Sequence, residues 1–255
     1  MVNTLDTLLR WTGGELAPAA GEPPGALLAA DSWLVDEGYE RAAAAHWARF
    51  AGSCLQLGVQ RAQLRGFELA AREALPWEGR WFPRVELTAD GLALRLRRAP
   101  APVDGSDRAR VLVGARGDPR AHPRRKGPDL ELLAGLRAQA REHGADELLL
   151  RDADGRLLEG ALSSLLWWED DALCTTPDEH ALPGVTRGLV LDIARARGVE
   201  VRMRAPLPEE LAGAEVWLTS ALHGIRVVSA WLSPRLQAGA GERAASWREE
   251  LDRDG

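Results

Sequence analysis

Lysine is all but missing from this chain. Of its 32 basic residues 31 are arginine, and Lys126 is the single exception. Cysteine is scarce as well: Cys54 and Cys174 stand far apart and in no metal-like spacing. That pattern fits a reducing cytoplasm better than a disulfide framework. No run approaches the ~20 apolar residues of a membrane span. The opening segment, MVNTLDTLLRWTGGE, lacks the basic region, apolar run and small-residue cleavage site of a leader. The five histidines are scattered, so no metal site is expected. Walker, G-x-S-x-G, H-E-x-x-H and C-x-x-C motifs are absent. The net charge of −6 gives nucleic acid or an anionic membrane no electrostatic support. Local clusters such as Arg95–Arg98 read as solvated faces. A soluble, cytoplasmic protein is the expectation.

What is present is ordinary for a folded protein: 255 residues, 45% hydrophobic and 27% charged, enough for one large domain or two moderate ones. Residues 22–38, punctuated by Pro23, Pro24 and Gly25, read as irregular chain with a short strand or turn. Trp47, Phe50, Cys54 and Leu57 recur at spacings of three and four, which predicts a helix over 40–57 capped by Gly58. Segments 64–74, 82–88 and 91–98 read as strands, the last two joined by a hairpin at Ala89-Asp90-Gly91. Residues 99–109 form a loop, and 110–115 a strand. The Pro- and Gly-containing stretch that follows suggests a boundary near 117–124. We therefore expect a smaller α/β domain over 1–118, a linker over 119–125 and a larger domain over 126–255. In the second half, Leu130, Leu133, Leu136 and Ala140 give a helix ending near Gly144. Strands are expected over 147–151, 156–168, 172–176, 199–204 and 215–220, and helices over 184–198 and 242–251.

Several residues invite chemistry. An amine can lose its proton and form a Schiff base with a carbonyl, whereas a guanidinium stays charged. A lone lysine among arginines is thus either a surface survivor or a reactive group. Leu182-Pro183-Gly184-Val185-Thr186-Arg187 feeds a Pro-Gly turn into a helix, whose first N–H groups can hold a phosphate or simply start a helix. Glu159 interrupts the apolar run Leu157–Leu162. It is either solvated or paired in a pocket, where it could bond a protonated pyridine nitrogen. Ser163 and Ser164 follow it. Trp167 and Trp168 read as core, and Arg49, beside His46, as one arginine of many.

Taken in order, these segments resemble the class IV aminotransferases, the fold-type IV pyridoxal 5′-phosphate (PLP) enzymes. That family includes branched-chain and D-amino-acid aminotransferases and aminodeoxychorismate lyases. The resemblance runs over about residues 30–232. It is carried by His46-x-x-Arg49-Phe50, Lys126-Gly127-Pro128-Asp129, Gly144–Leu150, Asp154–Gly160, Ser163–Leu166, Thr176-Pro177, Leu182–Arg187 and Leu218–Leu222. It implies a two-domain α/β fold with mixed sheets and a homodimer. It also implies PLP in Schiff-base linkage to Lys126, with Glu159 on the pyridine nitrogen. Arg49, Gly184, Val185 and Thr186, with Ser220 and Ala221, would surround the phosphate, and Ser164 and His223 would lie near the substrate.

The chain departs from the family at Leu130 and Glu131, where Tyr or Arg is common, at Ser164 for Asn, and at Ala221 for Thr. The implied reaction is transamination between an amino acid and a 2-oxo acid. One alternative is elimination from aminodeoxychorismate to 4-aminobenzoate and pyruvate. Another is a PLP-free scaffold acting as a binding protein.

Overall fold

The computed structural model describes residues 6–19 and 25–254, so Pro23 and Pro24 fall outside it. The chain divides into two compact units. The first is built from residues up to Ala101 together with Arg125–Pro128, the second from Pro102–Arg124 together with residues from Asp129 on.

The first unit contains β1 (Thr7–Trp11), β2 (Leu16–Pro18), β3 (Leu27–Ser32), β4 (Val35–Asp36), β5 (Tyr39–Glu40), α1 (Ala43–Gln56), α2 (Arg61–Glu73), β6 (Arg80–Trp81), β7 (Arg84–Thr88) and β8 (Gly91–Leu96). Five strands form an antiparallel sheet in the order β2-β1-β8-β7-β3, and β5-β4-β6 make a small second sheet. Both α1 and the β7–β8 hairpin lie where the sequence predicts them. Gly58, at φ 87°, ends α1 with its N–H on Leu55 O, in the left-handed conformation glycine adopts without strain.

The expected strand at 64–74 is instead α2. Leu64, Phe67 and Ala71 are its buried residues, at helical rather than alternating spacing, and they enter a core with Trp33, Trp47 and Phe50. Gly66 gives way to the Trp11 ring, which a Cβ there would meet at 3.0 Å. The rings of Trp33, Trp47, Phe50 and Phe67 stack edge-on or tilted at 5.4–6.3 Å. Each such buried side chain contributes about 1.5–3 kcal/mol of apolar transfer.

The second unit contains β9 (Arg108–Gly117), α3 (Leu130–Glu142), β10 (Glu147–Arg151), β11 (Leu157–Gly160), β12 (Ser164–Glu169), β13 (Ala172–Thr175), α4 (Val185–Ala196), β14 (Val201–Met203), β15 (Val216–Ser220), β16 (Gly224–Ser233) and α5 (Ala244–Asp254). Its eight strands follow the order β11-β10-β9-β16-β15-β12-β13-β14. The β9–β10, β9–β16 and β13–β14 pairs are parallel and the others antiparallel. The sheet curls, so that β11 at one edge bonds the chain leaving the other: Leu157 N donates to Pro206 O at 2.7 Å.

Three expectations change here. The boundary moves from 118 to 101, because β9 pairs in parallel with both β10 and β16 and so lies inside the second sheet. Lys126 joins the first unit, and Arg120 of the expected linker is buried in the second. The single strand over 156–168 is two, β11 and β12, on either side of residues 161–163. β16, central in the sheet, was not expected at all.

Trp167 and Trp168 are core, as expected, but on opposite faces. Trp167 packs with Leu149, Leu165 and Trp231, whereas Trp168 packs with Trp217 and Trp247 beneath α4 and α5. A strand buried on both faces needs no polar alternation.

Candidate active site

In the first unit Lys126 is fixed through its backbone. Ala30 N, on the edge strand β3, donates to Lys126 O at 2.8 Å. Gly127 then lies flat against β3 with φ 138°, and a Cβ there would stand 2.7–2.9 Å from backbone atoms of Ala29 and Ala30. The residue after the lysine must therefore be glycine. Lys126 itself is half-buried.

Asp31, fully buried on the same β3, gathers four donors. They are its neighbour Ser32 N at 2.8 Å, His46 Nδ1 at 2.7 Å, and Arg49 Nε and Nη2 at 2.7 and 2.8 Å. Positions 46 and 49 are one helical turn apart on α1, so both side chains reach one carboxylate. Burial alone would raise the Asp31 pKa, but Arg49 and His46 hold it well below the carboxylate range. Burial pushes His46 below its ordinary value, aided by the Arg49 and Lys126 charges and opposed by Asp31. Arg49 is thus more than one arginine of many. Asp31 was missed, although an acidic residue closing the apolar run 27–30 was a signal.

In the second unit Glu159 is buried on β11. Its Oε1 accepts Leu182 N–H at 2.8 Å and pairs with Arg120 Nη1. Arg120 also donates through Nε and Nη2 to Asp118 at 2.7–3.0 Å. Burial pushes the Glu159 carboxyl up, against Arg120 and the Leu182 N–H. A buried carboxylate in an apolar strand needs such a cation, which is the clue by which Arg120 could have been found.

Leu182 leads directly to α4. Its N-cap, Gly184, has no side-chain cap, and no acid stands in the first turn, leaving the first N–H groups directed at the space before the helix. A Cβ on Gly184 would overlap Ser164 Oγ. Ser164 pairs in register with Thr219 of β15, so both project on the face toward α4. Thr219 Oγ1 and Thr176 Oγ1 are buried without a hydrogen-bond partner among the described residues. Thr186 and Arg187 are buried, and Arg187 donates to Thr176 O at 3.2 Å. Ser220 ends β15, and Ala221 and His223 form the turn into β16. His223 N donates to Ser220 Oγ at 3.3 Å.

The expected residues thus form two groups: Lys126 with Arg49 and its partners in the first unit, and Glu159, Ser164, Gly184–Thr186, Ser220, Ala221 and His223 in the second. Residues 29–231 match the amino-transferase class IV family. The chain belongs to the class IV aminotransferases. Over 81 residues it is 38% identical to the branched-chain-amino-acid aminotransferases of Escherichia coli K12 and Salmonella typhimurium. That stretch covers 31% of this chain and 26% of each relative, about a quarter of their length.

The fold is similar to that of a hypothetical aminotransferase from Mycobacterium tuberculosis, with TM-score 0.79 and 20% identity over 96% of this chain and 97% of that one. A fold IV-transaminase from Curtobacterium pusillum gives 0.76 and 22% over 96% and 97%. The branched-chain aminotransferase of Escherichia coli gives 0.78 and 19% over 98% and 92%. The expected mixed α/β fold of the family is therefore the fold this class IV aminotransferase has.

Proposed function

We propose that this class IV aminotransferase binds PLP on Lys126 and moves an amino group between an amino acid and a 2-oxo acid. The observation that carries the reading is that the chain's one lysine is locked to β3 by the Lys126–Ala30 bond and the close approach of Gly127. The rest of the donor set fits the cofactor. The uncapped start of α4, the Gly184 cradle and the unpartnered hydroxyls of Thr176 and Thr219 suit a phosphate. The solved Mycobacterium tuberculosis aminotransferase of similar fold has been obtained with PLP, and with α-ketoglutarate and PMP.

Bound there, the cofactor supplies an aldehyde that condenses with amines and a ring that withdraws electrons from Cα. The N–H groups of Val185 and Thr186, with Ser220 and Ala221 beside them, would hold the phosphate in the second unit, and Arg49, oriented by Asp31 in the first unit, is the cation that would be offered to it. Glu159, kept in place by Arg120, would favour a protonated pyridine nitrogen. Lys126 would hold the cofactor, and its amine would supply the group that moves a proton at the substrate Cα. Ser164 and His223 contact the substrate. We extend the reading to a cytoplasmic homodimer, in keeping with the family and with the buried, free Cys54 and Cys174.

The test is an absorbance spectrum with PLP before and after borohydride, followed by intact and peptide mass. A yellow band that bleaches, leaving one pyridoxyl group on the Lys126 peptide, is expected. Turnover that then requires a 2-oxo acid identifies a transaminase. Pyruvate released from aminodeoxychorismate without an acceptor identifies a lyase. A chain that stays colourless is a binding scaffold and sinks both enzymatic readings.

A further inference from the structure

β10 buries a carboxylate that the proposed chemistry does not use. Glu147 is fully buried at the start of that strand, and it shares a face with the core residue Leu149 two positions on. Its Oε1 accepts the Leu148 N–H at 3.2 Å, and its Oε2 accepts the Ser163 hydroxyl at 3.1 Å. Arg226 of β16, also buried, stands 3.6 Å from the same Oε2. Its Nε has no hydrogen-bond partner among the described residues, so Glu147 is its nearest compensation.

Ser163 closes a tight turn. Its carbonyl accepts Gly160 N at 2.8 Å, and its own N–H returns to Gly160 O at 3.5 Å. Inside the turn, Ala161 N donates to Leu148 O at 2.8 Å. Glu159 immediately precedes this turn and Ser164 immediately follows it. There is no spare room at Gly160: a Cβ would overlap Ser163 Oγ and stand 3.0 Å from Glu147 Cγ. The side chain that grips Ser163 therefore also packs on the residue next to Glu159. The β10–β11 ladder cannot fix that end by itself, because its register shifts between Leu149 and Arg151. A bond from a hydroxyl to a carboxylate is stronger than one between neutral groups. Site residues need placing to within about 0.5 Å, and turns hold them less well than strands unless they are braced.

We propose that Glu147, with Arg226 as its counter-ion, is a positioning residue: through Ser163 it braces the 160–163 turn and so fixes Glu159 and Ser164. That this serves the pyridine nitrogen rests on the proposed role of Glu159.

The Leu182 N–H, bonded to Glu159 Oε1 at 2.8 Å, is a reporter that needs no cofactor. Amide hydrogen exchange of the full chain is followed residue by residue by NMR. In Ser163→Ala, Gly160, Ala161 and Leu182 should exchange at least ~10-fold faster, the loss of one hydrogen bond to a charged group. Glu147→Gln keeps an acceptor for the hydroxyl without the charge and should fall between. Leu251→Ala, in the core shared by α4 and α5, should speed these amides no more than the rest of the second unit. In the PLP-loaded chain, the NMR shift of an isotopically labelled pyridine nitrogen should move toward its unprotonated value in Ser163→Ala and hold in Leu251→Ala. Unchanged exchange or an unchanged nitrogen shift in Ser163→Ala, or changes that Leu251→Ala reproduces, overturn the brace. Should Glu147→Gln not fold, as judged by its thermal melt, Ser163→Ala decides alone. Glu159→Gln separates the two ideas. If it leaves the nitrogen shift where it was, the role of Glu159 fails and the exchange data decide the brace. A chain that takes no PLP loses the enzymatic reading, and exchange at Leu182 decides the brace in the same way.

Discussion

The two units both bury carboxylates beside arginine, yet they shift them in opposite directions. In the first, Asp31 receives two bonds from Arg49, one from His46 and one from the Ser32 N–H, all at 2.7–2.8 Å, and its pKa falls. In the second, Glu147 on β10 accepts Ser163 Oγ at 3.1 Å and the Leu148 N–H at 3.2 Å. Its arginines stand off, Arg226 at 3.6 Å and Arg137 at 3.9 Å, and burial wins, so its pKa rises. The lesson is that the number and closeness of donors, rather than the presence of an arginine, decide whether a buried acid is kept charged.

The comparison can be broken at several points. The largest effect is expected at Lys126. Lys126→Arg keeps the charge and the link to β3 but cannot condense with an aldehyde, so the borohydride adduct should vanish and turnover fall at least ~10³-fold. An adduct that survives on this variant would remove Lys126 from the chemistry.

Next is Arg120→Met, which strands the buried Glu159 and the nearby Asp118 without their cation. Breaking such a pair costs about 3–5 kcal/mol, and denaturant unfolding of the second unit should show it. Gly127→Ala forces a side chain into the β3 backbone at a φ of 138°. The combined strain and overpacking should cost about 3 kcal/mol, read as a lower melting temperature with loss of the PLP band.

Gly184→Ala drives a methyl into Ser164 Oγ and should weaken PLP about 10-fold, or ~1.4 kcal/mol, with little change in the melt.

The smallest effect is in pH dependence. The His46 pKa lies below its ordinary 6.5, so the folded chain resists the proton that the unfolded chain accepts. Its contribution is present above pH 6.5 and is lost as the pH falls, and Asp31 adds to this below 3.8. Glu147 has the opposite sign: its pKa is raised above 4.5, and its contribution is lost as the pH rises through that raised value. Chemical unfolding should show the first unit less stable at pH 5 than at pH 7, and His46→Gln should flatten the difference. A pH profile unchanged in that variant would mean that the Asp31 network does not set the acid response.

Much of the second unit was legible because its working residues sit at punctuated places. Pro183-Gly184 starts a helix, Asp152–Gly155 turns a hairpin, and Glu159 interrupts an apolar strand. Each breaks a local pattern that backbone chemistry makes costly to break. The first unit was harder to read. α2 was mistaken for a strand because Gly66 and short apolar pairs mimic alternation, and only the packing of Leu64, Phe67 and Ala71 on the Trp47 cluster settles it as helix. β16 carries no turn signal of its own and is defined by its neighbours β9 and β15.

By itself the sequence determined the chemistry on offer: one amine among 31 guanidiniums, a helix start open to an anion, and an acid in an apolar strand. These are local properties, fixed by residue type and by neighbours a few positions away. Tertiary structure alone decided which charges meet. Arg120 reaches Glu159 from 39 residues away, Arg97 reaches Ser32 across 65, and Lys126 leaves the second half of the chain to pair with Ala30. Such pairings depend on sheet order and long-range burial, and with so many arginines to choose from no spacing rule selects the partner.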